Sequence, residues 1–101
     1  MLVAFSVAPS TTEDPNGSVS EAVAAALKVV QDSGLPHELG SMFTTVEGEW
    51  DECMTVIKHA TEAVARFSPR VSLVMKADIR PGYDGQITAK VARVREHLKE
   101  S

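Results

Sequence analysis

The chain has 101 residues, of which 44% are hydrophobic and 24% charged, with a formal net charge of −4 and no Lys/Arg cluster. Its length predicts one domain over residues 1–101 around one core, and no apolar run approaches the ~20 residues that span a bilayer. The acidic balance argues against nucleic acid, whose phosphates need a basic face, and suits a cationic ligand better than an anionic one.

The first predicted element is a strand over residues 2–8, "LVAFSVA", which is rich in β-prone residues. Alternation puts Val3, Phe5 and Val7 on one face and mostly small side chains, Ser6 among them, on the other. The segment lacks the basic start of a signal peptide, so we expect a cytoplasmic protein. The polar stretch "PSTTEDPNGS" then predicts a loop of about ten residues, longer than most strand-to-helix links.

A capped helix and a hairpin follow this loop. Ser18 and Glu21 form a capping box, so a helix is expected to begin at Val19, and Gly34 ends it. The segment "LPHELGSMFTTVEG" predicts two short strands joined at Gly40. The first half of the chain therefore reads strand, helix, strand, strand.

The second half adds a helix, a strand and a further helix. An apolar stripe that starts at Trp50 predicts a helix from about Glu49 to Phe67. The segment "RVSLVMKADIR" predicts a strand with Leu73 and Met75 on its apolar face. A narrower apolar stripe predicts a third helix over residues 86–98.

This order predicts an α+β fold, a ferredoxin-like βαββαβ sandwich with a four-stranded antiparallel sheet and an added C-terminal helix. The predicted core between sheet and helices consists of Phe5, Val7, Leu27, Val30, Ile57, Val64, Leu73 and Met75. The opposite sheet face is too apolar for water and too polar for a core. We therefore expect a homo-oligomer, a dimer or a tetramer, whose partner covers this face and leaves room for a small ligand.

The sequence shows no arrangement typical of catalysis or metal binding. Cys53 is the only cysteine and falls in an apolar helical stripe, which favours a buried structural thiol. His37, His59 and His97 are not at metal-ligand spacing, and there is no phosphate-binding loop. We therefore predict that the protein is not an enzyme and holds no metal and no cofactor.

Two carboxylates, Glu47 and Asp78, lie at or near strand ends rather than on helix faces. The period of a strand puts Thr45 on the face of Glu47. Both point the same way as Ser6 and Asp78 if the register aligns, whereas Thr44 points to the opposite face unless a bulge re-aims it. These side chains form either the polar end of a ligand pocket or an ordinary solvated junction between strand and helix.

The chain contains, in this order, "FSVAP", "SGLPHEL", "GSMFTTVEG", "EWDECMTVIKHA" and "RVSLVMKADIRPG". The most specific parts are the Thr-x-x-Glu-Gly of Thr44, Glu47 and Gly48 and the Asp-x-Arg of Asp78 and Arg80. Over essentially the whole chain, this pattern resembles the small thiamine-binding proteins, once grouped only as a family of unknown function.

The resemblance implies a ferredoxin-like protomer that pairs through its sheet, commonly forms a tetramer, and binds thiamine or a related aminopyrimidine without chemistry, for sequestration or sensing. The candidate ligand-binding residues are Ser6, Ser10, Thr44, Thr45, Glu47, Asp78 and Arg80. The hypothesis has Glu47 accept a hydrogen bond from the aminopyrimidine while Asp78 faces the cationic ring. Thr44 or Thr45 and Ser6 would lie nearby. The alternatives are a structural or regulatory oligomer without a small-molecule ligand, or an enzyme acting on an aminopyrimidine.

Overall fold

The computed structural model describes residues 1–10 and 18–100. Its elements are β1 (Leu2–Pro9), α1 (Ser18–Ser33), β2 (His37–Leu39), β3 (Thr44–Glu47), α2 (Trp50–Ala65), β4 (Val71–Asp78) and α3 (Gln86–Glu100). The strands form one antiparallel sheet in the order β2-β3-β1-β4. This confirms the predicted α+β, ferredoxin-like architecture with an added C-terminal helix. The predicted capping box at Ser18 lies outside the described side chains.

The register of β1 with its two neighbours defines the faces of the sheet. Phe5 lies opposite Thr44 on β3 and Met75 on β4, so these three residues share one face. Helices α1 and α2 pack on this face, which we call the helix side. The face that carries Leu2 and Ser6 is called the open side.

The core lies between the helix side of the sheet and the two packed helices. The buried cluster consists of Val3, Phe5, Val7, Ala22, Ala26, Val30, Val46, Cys53, Val56, Ile57, Ala60 and Val64. Five predicted core residues are confirmed as buried, namely Phe5, Val7, Val30, Ile57 and Val64. Helix α1 contributes Ala22, Ala26 and Val30 to this cluster, and α2 contributes its other helical residues.

Two predicted core residues on β4 are not buried. Leu73 and Met75 face the helix side, as predicted, but remain 37% and 44% exposed. The reason is that β4 is an edge strand, and α1 and α2 lie mainly over the centre of the sheet. Leu27 is half-buried, and Trp50 is 54% exposed because it is the first residue of α2 rather than part of its buried stripe.

Helix α3 begins on the open side of the sheet and covers part of it. Ile87 and Ala89 are half-buried, whereas Val91, Val94 and Leu98 are exposed. The radius of gyration is 15.3 Å, compared with about 13 Å for a compact domain of this length. The shape is therefore elongated, with an exposed apolar stripe on α3. Among the described residues, no helix is long and apolar enough to cross a membrane.

Candidate ligand-binding site

The register places four of the candidate residues on the open side of the sheet. Leu2 lies opposite both Glu47 and Asp78, and Ala4 lies opposite Thr45. Ser6 is two residues beyond Ala4 and points to the same side. These four residues therefore share one face of the sheet, as the sequence predicts.

Thr44 points to the helix side, opposite Phe5, and no bulge re-aims it. The open-side residues do not meet at one point either. Glu47 lies beside Leu2, whereas Ser6 is four positions further along β1, a separation of about 13 Å. The expected closeness of Ser6 to Glu47 is thus wrong, and the candidates divide into two groups at opposite ends of β1.

The Glu47 carboxylate is buried, with 6% of the residue exposed, and it contacts the start of α3. The backbone N–H of Gln86 donates to its Oε2 at 2.9 Å, and that of Ile87 donates to Oε1 at 3.4 Å. These are two of the N–H groups that a helix leaves unpaired in its first turn, where negative charge also complements the helix dipole. Glu47 therefore caps α3 from a neighbouring strand.

Asp78 and Arg80 also have partners in this chain. Lys90 of α3 forms an ion pair with Asp78, and this hydrogen bond together with the lysine charge lowers the pKa of the Asp78 carboxyl. The guanidinium of Arg80 lies 3.6 Å from the centroid of the Tyr83 ring, in cation–π geometry. The space enclosed by this group is only about 10 Å³. That volume is too small for a ring. Glu47 and Asp78 each contact α3, whereas Arg80 contacts Tyr83 in the loop before it.

Ser10 and Thr45 border none of the described cavities. The backbone N–H of Ser10 donates to the carbonyl of Arg70 at 2.8 Å, which closes the end of the ladder between β1 and β4. Thr45 is half-buried on the open side between Ala4 and Glu38.

Room for a ligand lies at the other end of β1, in a cleft of about 240 Å³. Because β3 is short, its ladder with β1 ends at Phe5 opposite Thr44, and β1 continues beyond it. Two candidate residues, Ser6 and Thr44, border this cleft. Among the described residues, its lining is Phe5, Ser6, Val7, Ala8, Val23, Ala26, Leu27, Leu39, Gly40, Ser41, Met42, Phe43 and Thr44.

The turn between β2 and β3 shapes one wall of the cleft. The Gly40 N–H donates to the Phe43 carbonyl at 2.9 Å. A Cβ atom at position 40 would lie 2.6 Å from that carbonyl oxygen, so the turn requires glycine there. The turn presents Met42 and Phe43 as exposed apolar side chains. Neither was among the predicted site residues, although two apolar residues directly after a glycine turn were the available signal in the sequence.

Two larger grooves lie elsewhere on the surface. One, of about 630 Å³, lies between the end of α1 and the start of α2, and Asp32, Asp51, Glu52 and His59 are among the residues that border it. The other, of about 430 Å³, runs between α3 and Glu38. Neither contains a residue of the candidate set.

The described residues contain no cluster of three or more side chains suited to a metal ion. Cys53 is fully buried, and burial raises the pKa of its thiol, so it is poorly suited to act as a nucleophile. His37 donates through Nδ1 to the Leu35 carbonyl at 2.8 Å, a local contact at the start of β2.

Comparison with known proteins places the chain in one family. The profile described as thiamine-binding protein matches residues 3–95. A Mycobacterium bovis protein of the UPF0045 group is 48% identical over 99 residues, covering 97% of this chain and 94% of the relative. A Synechocystis protein of the same group is 35% identical over 85 residues, covering 83% of this chain and 70% of the relative.

Solved structures agree with this placement. A Bacillus cereus domain of unknown function, DUF77, superimposes with a TM-score of 0.78 at 35% identity, covering 89% of this chain and 85% of that one. A Thermotoga maritima protein described provisionally as one of thiamine biosynthesis or salvage gives 0.74 at 25% identity, covering 90% and 96%. The chain belongs to the thiamine-binding protein family.

Proposed function

We propose that this protein binds thiamine or a related aminopyrimidine, without chemical change, in the cleft bordered by Ser6 and Thr44. The observation that carries the proposal is the cleft itself, which combines apolar walls with hydroxyl groups and an aromatic ring in a protein of this family. Binding would serve to sequester or sense the ligand.

The chemistry of the cleft suits a small heteroaromatic ring. Its apolar wall comes from residues such as Phe5 and Leu27, and the hydroxyls of Ser41 and Thr44 can exchange hydrogen bonds with ring nitrogens and an exocyclic amine. Ser6, whose side chain points to the open side, borders the cleft along the edge of β1. A volume of about 240 Å³ is below the ~300 Å³ at which drug-sized pockets begin, and it suits one ring rather than two.

The cationic ring of thiamine would then lie at the mouth of the cleft. Phe43 borders the cleft there and is partly exposed, so its face is available to a cation. This arrangement differs from the expectation that Asp78 faces the cation, because Asp78 lies at the other end of β1 and is paired with Lys90.

Binding without catalysis is the simpler proposal for this lining. None of the described residues that border the cleft has a side chain that can act as a general acid or base near neutral pH. The described lining also places no base beside the hydroxyls that would activate them as nucleophiles.

Removing the Thr44 hydroxyl tests the site directly. Thr44→Val keeps the shape of a residue that is 8% exposed but deletes one hydrogen-bonding group from the cleft. We expect calorimetric titration with thiamine to show binding weaker by about 3- to 10-fold, as for the loss of one neutral hydrogen bond of about 1 kcal/mol.

Thr45→Val is the matched control, because Thr45 is the neighbouring threonine and points to the open side, away from the cleft. It is expected to bind thiamine within about 2-fold of the parent protein. Equal affinities for all three proteins, or a larger loss for Thr45→Val, would contradict the placement of the ligand in this cleft.

We also propose that the protein is a homo-oligomer, a dimer or a tetramer. Val74 on the open side of β4 is 54% exposed, and three apolar residues of α3 are also exposed. A second copy that covers these surfaces would remove them from water. Sedimentation at micromolar concentration is expected to give the mass of a dimer or a tetramer of the 10.9 kDa chain. A monomer would contradict the proposal.

A further inference from the structure

The described lining of the cleft bordered by Ser6 and Thr44 carries no charge. Among the described residues that border it, there is no Asp, Glu, Lys, Arg or His. The charged residues of the adjoining strands are elsewhere: Lys76 lies opposite Ala4 on the open side, and Glu38 lies opposite Thr45. From the part of the chain that the structure describes, a ligand in this cleft therefore meets apolar surface, hydroxyls and backbone groups.

From this lining we infer that the site selects the unphosphorylated form of its ligand and discriminates against phosphate esters. The inference rests on the proposed function and specifies the chemical class of ligand that the same site accepts. Phosphate recognition normally uses Arg or Lys side chains or the free N–H groups at a helix N-terminus. Moving a phosphate from water toward an uncharged, mostly apolar surface carries a cost that no charged group in the described lining offsets.

A helix N-terminus can bind phosphate, and helix α1 borders the cleft, but the cleft does not contact the first turn of α1. The cleft touches α1 at Val23, Ala26 and Leu27, which lie beyond its first turn. The backbone N–H groups there are engaged within the helix. The first turn carries Glu21, whose negative charge opposes a phosphate.

The segment that follows β1 in the sequence adds no positive charge, and Arg70, whose carbonyl accepts from the Ser10 N–H at this end of β1, is not among the described residues that border the cleft. Residues 11–17, which lie outside the described ranges, read "TTEDPNG" and contain two carboxylates and no Lys or Arg. The formal net charge of −4 also disfavours the approach of an anion. The negative net charge of the protein and the uncharged lining of the cleft therefore both disfavour the binding of a phosphate.

Titration calorimetry with three ligands tests the inference: hydroxymethylpyrimidine, thiamine and thiamine pyrophosphate. We expect the pyrophosphate to bind at least tenfold more weakly than thiamine. Met42→Lys adds a cation at a highly exposed position on the rim. In the same titrations, this variant is expected to reduce the ratio of the Kd for the pyrophosphate to the Kd for thiamine at least threefold.

The outcomes separate the inference from the function on which it rests. If thiamine binds and the pyrophosphate binds less than tenfold more weakly, the selectivity is overturned while the proposed function stands. If the difference is present but Met42→Lys does not narrow it, the missing positive charge in the cleft is not its cause, and the inference again fails. If none of the three ligands binds, the proposed function fails and the inference with it.

Discussion

Replacing Ile57 with alanine is expected to lower the free energy of unfolding by about 2 to 5 kcal/mol. Ile57 is 2% exposed in the middle of α2 and belongs to the cluster between the helices and the sheet. Truncation removes buried methyl and methylene groups and leaves a cavity that the surrounding residues fill only in part. Denaturant unfolding followed by circular dichroism, at a fixed protein concentration, measures the difference.

Ile79→Ala is the matched control, because it deletes the same atoms from a residue that is 59% exposed after the end of β4. Its expected cost is below about 1 kcal/mol, as for an exposed substitution. Similar costs for the two variants would show that the buried face of α2 is misassigned.

The sequence predicts the order of the elements well, because each one carries a local signal. Alternation marks β1 and β4, a stripe marks α2, and glycines mark the hairpin and the end of α1. Alternation also placed Leu73 and Met75 on the correct face. It could not show that they stay exposed, because exposure depends on which strand the helices cover, and that is a property of the whole packing.

The candidate site shows the same limit more clearly. The period of a strand is enough to align Thr45, Glu47 and Asp78 on one face. It does not give the distance along the ladder, so Ser6 was wrongly expected near Glu47. The cleft arises because β3 is shorter than β1, a difference that single-sequence reasoning places only to within a few residues.

The carboxylate of Glu47 lies at the end of β3 because it caps the N-terminus of helix α3. A buried glutamate needs hydrogen-bond donors, and the first two N–H groups of α3 supply them. The ion pair of Lys90 with Asp78 holds the next turn of the same helix, but both side chains are about half exposed, so its contribution is small. Glu47 is therefore the principal polar anchor of α3 among the described contacts.

Replacing Glu47 with alanine is expected to loosen α3 by about 1.5 to 3 kcal/mol, the range for hydrogen bonds to a charged group. The backbone N–H groups of Gln86 and Ile87 lose their acceptor, and the helix dipole loses its negative partner. Hydrogen exchange followed by NMR is expected to become about 10- to 100-fold faster at these two amides. The amide of Val64 in α2, far along the core, is expected to keep its protection because the two-helix core does not involve α3.

Glu47→Gln separates the capping role from a direct contact with ligand. The amide keeps one oxygen acceptor but turns an N–H₂ group toward the helix, so an intermediate loosening of α3 is expected. Thiamine should bind this variant within about 2-fold of the parent protein, because Glu47 lies three residues along β3 from Thr44, about 10 Å, and points to the opposite face. Weakening by tenfold or more with unchanged exchange at Gln86 would instead show that the carboxylate contacts the ligand. The hypothesis that Glu47 accepts a hydrogen bond from the aminopyrimidine would then replace the cleft as the account of binding.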